Sequence, residues 1–272
     1  MGKVFDHKDS SGKVTIAVFQ EVSSQEQAHH FDLQADVDPD MVVVGGGATA
    51  TDKPNGALLT ASYPNENRTG WRASSKDHNV PNPHRLTVYA IGMKINGLTR
   101  DDLMGNLRFV RETSDVAAHP VEDVSAPQGF KLIGGGFRVN WAPGPGNLAT
   151  GSFPVGGSWK ARSKDHFAAS PCTIDVFGIA LRNSIPGVGG WERIVEDGTS
   201  SEAAHPSAHF SLDEAFALTG VGAEVFFSEP GSLLWKLEPR NGNVQGVTTA
   251  SKDHQRSSPA KVKAYAIGIR FL

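Results

Sequence analysis

The chain has 272 residues, of which 39% are hydrophobic and 20% charged, and its formal net charge is −3. This composition is typical of a globular protein with a well-buried core. The slightly acidic balance argues against nucleic acid as the main partner, because phosphate binding requires a clustered excess of Lys and Arg. A single cysteine, Cys172, excludes an intramolecular disulfide and a metal site built from several cysteines.

The first residues, MGKVFDHKDSSGKV, contain no apolar core of the kind found in signal peptides. No stretch approaches the ~18 consecutive apolar residues that a transmembrane helix needs. We therefore expect a cytoplasmic protein, or one exported by a route that uses no classical signal peptide.

Short runs of alternating apolar and polar residues predict β-strands along the whole chain. Val14–Phe19, Leu86–Ile91 and Phe137–Trp141 are rich in β-branched or aromatic residues and are bounded by Gly, Pro, Asn or Ser. The 30 glycines and 16 prolines interrupt the chain too often for long helices. The sequence predicts an all-β protein.

A repeat of 88 residues runs through these elements. The tetrapeptide Ser-Lys-Asp-His occurs at residues 75–78, 163–166 and 251–254. Eleven residues after each of its histidines, an aromatic residue opens a matched strand-like segment. Three units then cover residues 1–96, which include a short N-terminal extension, 97–184 and 185–272.

We expect these units to form one compact body, because the segments between them are short and lack the composition of a flexible tether. Three antiparallel sheets around a pseudo-threefold axis would form a β-prism, a layout similar to that of several plant and bacterial lectins. This similarity concerns architecture alone. The alternative is three small β-sandwich domains in tandem, and a propeller would need a ~44-residue sub-repeat that the chain lacks.

Polar residues that recur in every unit are the candidate site residues. They comprise the tetrapeptide and a histidine that follows Ala further upstream. A tryptophan stands four residues before the first two tetrapeptides, whereas Val247 takes that place in the third. The predicted ligand-binding set is His29, Trp71, Lys76, Asp77, His78, His119, Trp159, Lys164, Asp165, His166, His205, Lys252, Asp253 and His254.

Four interpretations of this set remain open. Ser and Asp accept hydrogen bonds from nearby backbone amides, so the tetrapeptide can be a structural corner. Carboxylate and imidazole groups beside an aromatic ring also suit a carbohydrate site. His29, Asp77 and His78 form a two-His, one-carboxylate set, although their spacing is not diagnostic of a metal. Acid–base catalysis uses the same residue types, but active sites are usually single.

The sequence favours a multivalent binding protein over an enzyme, because several weak sites on one rigid body increase avidity. We expect its ligand to be a glycan or another polar small molecule, with one site in each unit. The alternatives are a membrane- or partner-targeting module of a toxin-like system, and a polysaccharide-active or metal-dependent enzyme. No cofactor motif is present, since the glycine clusters lack the features of phosphate loops. The oligomeric state is not predicted.

Overall fold

A computed structural model describes residues 2–52, 55–240 and 245–272. Strands account for 64% of the chain and helix for 2%, and the strands form three antiparallel sheets. The prediction of an all-β protein is therefore confirmed. No helix in the described ranges has the length and apolar character needed to cross a bilayer.

The described residues of the first unit form seven strands. They are β1 (Gly2–Lys8), β2 (Val14–Val22), β3 (His29–Asp36), β4 (Val42–Ala50), β5 (Leu58–Pro64), β6 (Gly70–Lys76) and β7 (Leu86–Ile95). Next come α1 (Arg100–Gly105), β8 (Leu107–Thr113), β9 (Val121–Ser125), β10 (Phe130–Asn140), β11 (Asn147–Val155), β12 (Ser158–Asp165) and β13 (Thr173–Arg182). The chain continues with β14 (Ser184–Ile185), β15 (Gly189–Thr199), β16 (Ser207–Ser211), β17 (Ala217–Phe226), β18 (Ser232–Arg240), β19 (Gly246–Asp253) and β20 (Lys261–Phe271).

The short helix α1 lies in the segment that joins the first two units. Thr99 caps its N-terminus by accepting a hydrogen bond from the amide of Asp102, whose carboxylate accepts one from the Thr99 amide in return. Such a reciprocal capping box stabilises the first turn of a helix. This Thr-x-x-Asp signal is present in the sequence and locates the helix.

Every sheet combines strands from two of the units. The strand orders are β1-β2-β7-β4-β18-β19-β16, β3-β6-β5-β10-β13-β8 and β14-β15-β20-β17-β11-β12-β9. The units meet where β4 pairs with β18, β5 with β10, and β11 with β17, all antiparallel. Each sheet is therefore held by backbone hydrogen bonds that cross from one unit to the next.

Glycines let three strands from different units approach each other closely. A Cβ added at Gly45 would overlap the carbonyl oxygen of Thr219, and one added at Gly134 would overlap that of Val44. Gly220 approaches Gly134 in the same region. Only a residue without a side chain permits this distance between backbones, so the glycine-rich segments of the sequence mark the place where β4, β10 and β17 meet.

Candidate functional site

The three Ser-Lys-Asp-His segments lie at the ends of β6, β12 and β19, and most of their side chains are inaccessible to solvent. The exposed fraction is at most 2% for Lys76, Lys164 and Lys252 and at most 1% for His78, His166 and His254. Side chains this deeply buried do not contact a ligand in this conformation. Their partners are groups of the protein itself.

Lys76 bonds to a loop of the following unit, between β10 and β11. Its Nζ donates to the carbonyl oxygens of Gly144, at 3.1 Å, and Pro145, at 2.5 Å. The ammonium group also lies 4.2 Å from the centre of the Trp141 ring, a distance typical of a cation–π contact. Burial lowers the pKa of Lys76 to about 8. This lysine therefore connects the first unit to the second.

Lys164 makes the corresponding bonds to the loop between β17 and β18. Its Nζ donates to the carbonyl oxygen of Pro230 and pairs with the Glu229 carboxylate, both at 2.5 Å. Lys252, in the third unit, is equally buried, and burial lowers its pKa to about 8. Lys164 thus connects the second unit to the third, as Lys76 connects the first unit to the second.

The last histidine of each tetrapeptide packs against those of the other two. The ring centres of His78, His166 and His254 lie 5.1 to 5.5 Å apart. The Nε2 of His78 donates to the carbonyl oxygen of His166, at 2.6 Å, and that of His166 donates to the carbonyl oxygen of His254, at 3.1 Å. Burial lowers the pKa of all three rings, to about 4 for His254. The histidines are consequently neutral at pH 7 and contact each other rather than solvent.

The aspartates of the tetrapeptides each bridge a backbone amide and a histidine. In the first unit, Asp77 accepts a hydrogen bond from the amide of Asn82, at 3.1 Å, and pairs with His29, at 3.0 Å. The same pairs recur as His119 with Asp165 and His205 with Asp253, each at 3.3 Å. The three histidines of these pairs are 39–50% exposed, so they are the most accessible members of the predicted set.

The two predicted stacking residues, Trp71 and Trp159, are fully buried. Their Nε1 atoms donate to the hydroxyls of Ser62, at 2.8 Å, and Ser152, at 2.9 Å. Each ring packs over a glycine of the glycine-rich segments, where a side chain would collide with it. Neither ring has a free face for a sugar, because alternate residues of a strand point to opposite sides and these point inward.

Asp77 and His78 face different partners in the structure. Asp77 faces His29, whereas His78 turns towards the cluster of buried histidines. Within residues 2–52, 55–240 and 245–272, no group of three or more His, Cys, Asp or Glu side chains is arranged to hold a metal ion. Neighbouring residues at the end of a strand diverge in this way because the strand is pleated.

Exposed aromatic surface lies beside His29, in a cleft of about 220 Å³ that the sequence analysis missed. Phe31 is 66% exposed, and its ring stacks on Trp141 with centres 6.0 Å apart and planes at 26°. The His29 ring lies edge-on to both, at 6.0 and 5.8 Å. Asp32 and Asn140 also line this Phe31–Trp141 cleft, and both are exposed.

The Phe31–Trp141 cleft escaped a search for recurring residues because its aromatic pair occurs at one unit boundary. The residue two positions after the upstream histidine is Phe31 in the first unit, Val121 in the second and Ser207 in the third. A Phe directly after paired histidines was the signal available in the sequence.

Comparisons with models of known protein families and with curated proteins give no match.

Proposed function

We propose that the protein is a carbohydrate-binding module built on a pseudo-threefold, β-prism-like body. Three features support this architecture: every sheet is shared between units, the three tetrapeptide histidines meet, and the equivalent residues Leu58, Leu148 and Leu233 form a buried cluster of their own. Three independent domains in tandem would make none of these contacts.

The tetrapeptide holds neighbouring units together in this proposal. Lys76, Lys164 and the three last histidines are buried and bonded to backbone carbonyls of another unit. Buried polar groups require such partners, and the motif recurs because each junction needs it. The ligand site lies outside the motif and adjoins it through His29.

The Phe31–Trp141 cleft is the observation that carries the proposal. The exposed Phe31 ring suits the apolar face of a sugar, and nearby carboxylate and amide groups suit its hydroxyls. Asp32 already accepts a hydrogen bond from the Tyr63 hydroxyl, at 2.8 Å, which holds the carboxylate in position at the cleft. Phe31, which packs on the half-buried Trp141, is therefore the stacking ring, with Asp32 and Asn140 beside it.

We propose one principal site rather than one equal site in each unit. The His119–Asp165 and His205–Asp253 pairs lack the aromatic pair that accompanies His29, since Val121 and Ser207 replace Phe31. Without a ring to cover the sugar, hydroxyl contacts alone compete poorly with water.

A glycan array followed by calorimetry tests the proposal. We expect binding to a restricted set of glycans, with dissociation constants in the micromolar to millimolar range. Absence of binding to every glycan at millimolar concentration would overturn it.

A further inference from the structure

A second cleft, of about 160 Å³, lies on the solvent-facing side of the six-stranded sheet β3-β6-β5-β10-β13-β8. Four arginines line it, Arg68, Arg72, Arg111 and Arg138, against a single carboxylate, Glu66. This arginine cleft adjoins the Phe31–Trp141 cleft, because Arg138 lines both. Its excess of positive charge stands out in a chain whose net charge is negative.

Aromatic rings hold the guanidinium groups of the arginine cleft in place. The rings of Tyr63 and Phe177 stack with centres 5.2 Å apart and planes at 21°. Arg138 lies over Tyr63, at 5.6 Å, and Arg111 lies over Phe177, at 5.5 Å. Arginines supported by aromatic faces lose less side-chain freedom when they bind an anion.

Much of this positive charge is not neutralised by the protein. Arg111 pairs with the buried carboxylate of Asp175, at 2.7 Å. Arg72 instead donates its Nε to the amide oxygen of Gln34, at 2.9 Å, and neither Arg72 nor Arg138 forms an ion pair with a carboxylate in the described part of the chain. Arg72 also contacts the Tyr63 hydroxyl, and the remaining N–H groups of the two arginines can donate to a ligand.

The sheet β14-β15-β20-β17-β11-β12-β9 provides an internal comparison. It carries the same kind of stacked pair, Phe153 and Tyr265, with centres 5.7 Å apart and planes at 13°. Here, however, Glu224 accepts a hydrogen bond from the Tyr265 hydroxyl, and Asp197 pairs with Lys263. These carboxylates take the places that two of the arginines hold in the six-stranded sheet. Both sheets carry the stacked pair, whereas of these two sheets the six-stranded one carries the uncompensated positive charge in the described residues.

We propose that the arginine cleft binds the anionic group, sulfate or carboxylate, of an acidic glycan whose neighbouring sugar ring lies in the Phe31–Trp141 cleft. Guanidinium groups donate paired hydrogen bonds that match the geometry of such oxyanions. The continuity of the two clefts at Arg138 lets one oligosaccharide reach both. This inference rests on the proposed carbohydrate-binding function and specifies its ligand class.

The test compares glycans that share a backbone and differ in sulfate or uronic acid groups. At low ionic strength, acidic members should bind at least about tenfold more tightly than their neutral counterparts, and added salt should reduce the difference. Equal affinities would overturn this inference and leave the proposed function intact. Absence of all glycan binding would overturn both.

A pair of matched variants tests the position of the anionic group. Arg72→Gln should weaken binding of acidic glycans by about fivefold or more without changing that of neutral ones. Lys160→Gln removes a cation from the corresponding strand position of the second unit, directly after Trp159, and should change neither. Equal losses in the two variants would contradict the assignment.

Inorganic sulfate tests the cleft without any glycan. Titrated at low ionic strength, it should shift the NMR signals of the Arg72 and Arg138 side chains, while chloride at the same ionic strength should not. If sulfate leaves both signals unchanged, the anion site is wrong, and carbohydrate binding through the Phe31–Trp141 cleft is unaffected.

Discussion

The Nε2 atom of His78 donates a hydrogen bond to the carbonyl oxygen of His166, the matching residue 88 positions later, at 2.6 Å. His166 makes the same contact with His254, at 3.1 Å. These bonds lie in the interior, where an unpaired polar group is costly. The residue that marks the repeat in the sequence is thus also a residue through which the repeated units touch.

Removal of the central ring of this cluster should destabilise the protein strongly. His166→Ala leaves a cavity and removes the ring that faces the carbonyl oxygens of Pro230 and His254, so one of them loses its hydrogen-bond donor and we expect the free energy of unfolding to fall by about 2–4 kcal/mol. Urea unfolding followed by circular dichroism measures the change. His119→Ala removes a half-exposed histidine of the same unit and should cost about 1 kcal/mol or less. Similar losses in both variants would show that the cluster contributes little.

The stability of the fold should decrease as the pH falls below about 6.5, the ordinary pKa of histidine. Burial lowers the pKa of His78 and His166, and lowers that of His84 and His254 to about 4. Between these pKa values and 6.5, the unfolded chain binds protons that the folded protein does not. Each such proton reduces stability by about 1.4 kcal/mol per pH unit.

Urea unfolding between pH 7.5 and pH 5 measures this dependence. His254→Gln should show a shallower decline than the wild type, because one titrating group is gone. A stability that stays constant or rises as the pH falls would contradict the neutral, buried state of these rings.

The close approach of β4, β10 and β17 should make Gly134 intolerant of any side chain. In Gly134→Ala, the new Cβ would overlap the carbonyl oxygen of Val44, so two strands must separate or the protein fails to fold. Gly157→Ala places a Cβ in open space within the turn between β11 and β12 and should leave the melting temperature unchanged. Soluble yield and thermal unfolding distinguish the two. A normally folded Gly134→Ala protein would refute the contact.

Phe31 should contribute to ligand binding and little to stability, since it is largely exposed. Phe31→Ser is expected to lower glycan affinity about tenfold or more by removing the stacking ring. Val121→Ser makes a comparable change at the equivalent, 51% exposed position of the second unit and should leave affinity unchanged. Calorimetry with a glycan identified on the array measures both, and an unaltered affinity in Phe31→Ser would remove the cleft from consideration.

Trp71 should contribute to stability and not to ligand binding, because it is fully buried. Trp71→Phe loses the hydrogen bond to Ser62 and part of a fully buried ring, which we expect to cost about 1–3 kcal/mol of unfolding free energy. Its glycan affinity should equal that of the wild type at temperatures where the variant is folded. A selective loss of binding would restore Trp71 as a ligand contact.

The fold class was predictable because the β-branched and aromatic composition of strands such as Val14–Val22 is a local property. The recurrence of Ser-Lys-Asp-His was equally visible in the sequence. Whether the motif binds a ligand or joins the units depends on the direction in which its side chains point. Lys76 and His78 point into the junctions between units, and Asp77 points towards His29. Which way a residue at a strand end faces is set by the strands packed against it, and these come from another unit.

The candidate site was only partly predictable for the same reason. His29 was identified from its recurrence and lies at the Phe31–Trp141 cleft. Trp71 was chosen for its distance from the tetrapeptide, although burial over a glycine removes it from the surface. Phe31 and Trp141 are more than a hundred residues apart, and pairing between β5 and β10 joins the two units that carry them.

The sequence by itself determined that this chain is all-β and carries three copies of one polar tetrapeptide. Strand patterns and repeated motifs depend only on residues that are close together in the sequence. Only the tertiary structure decided that the tetrapeptide is buried between units and that aromatic and arginine side chains form adjoining clefts. Burial and cleft formation depend on which distant strands become neighbours, and those pairings are made by backbone hydrogen bonds between units.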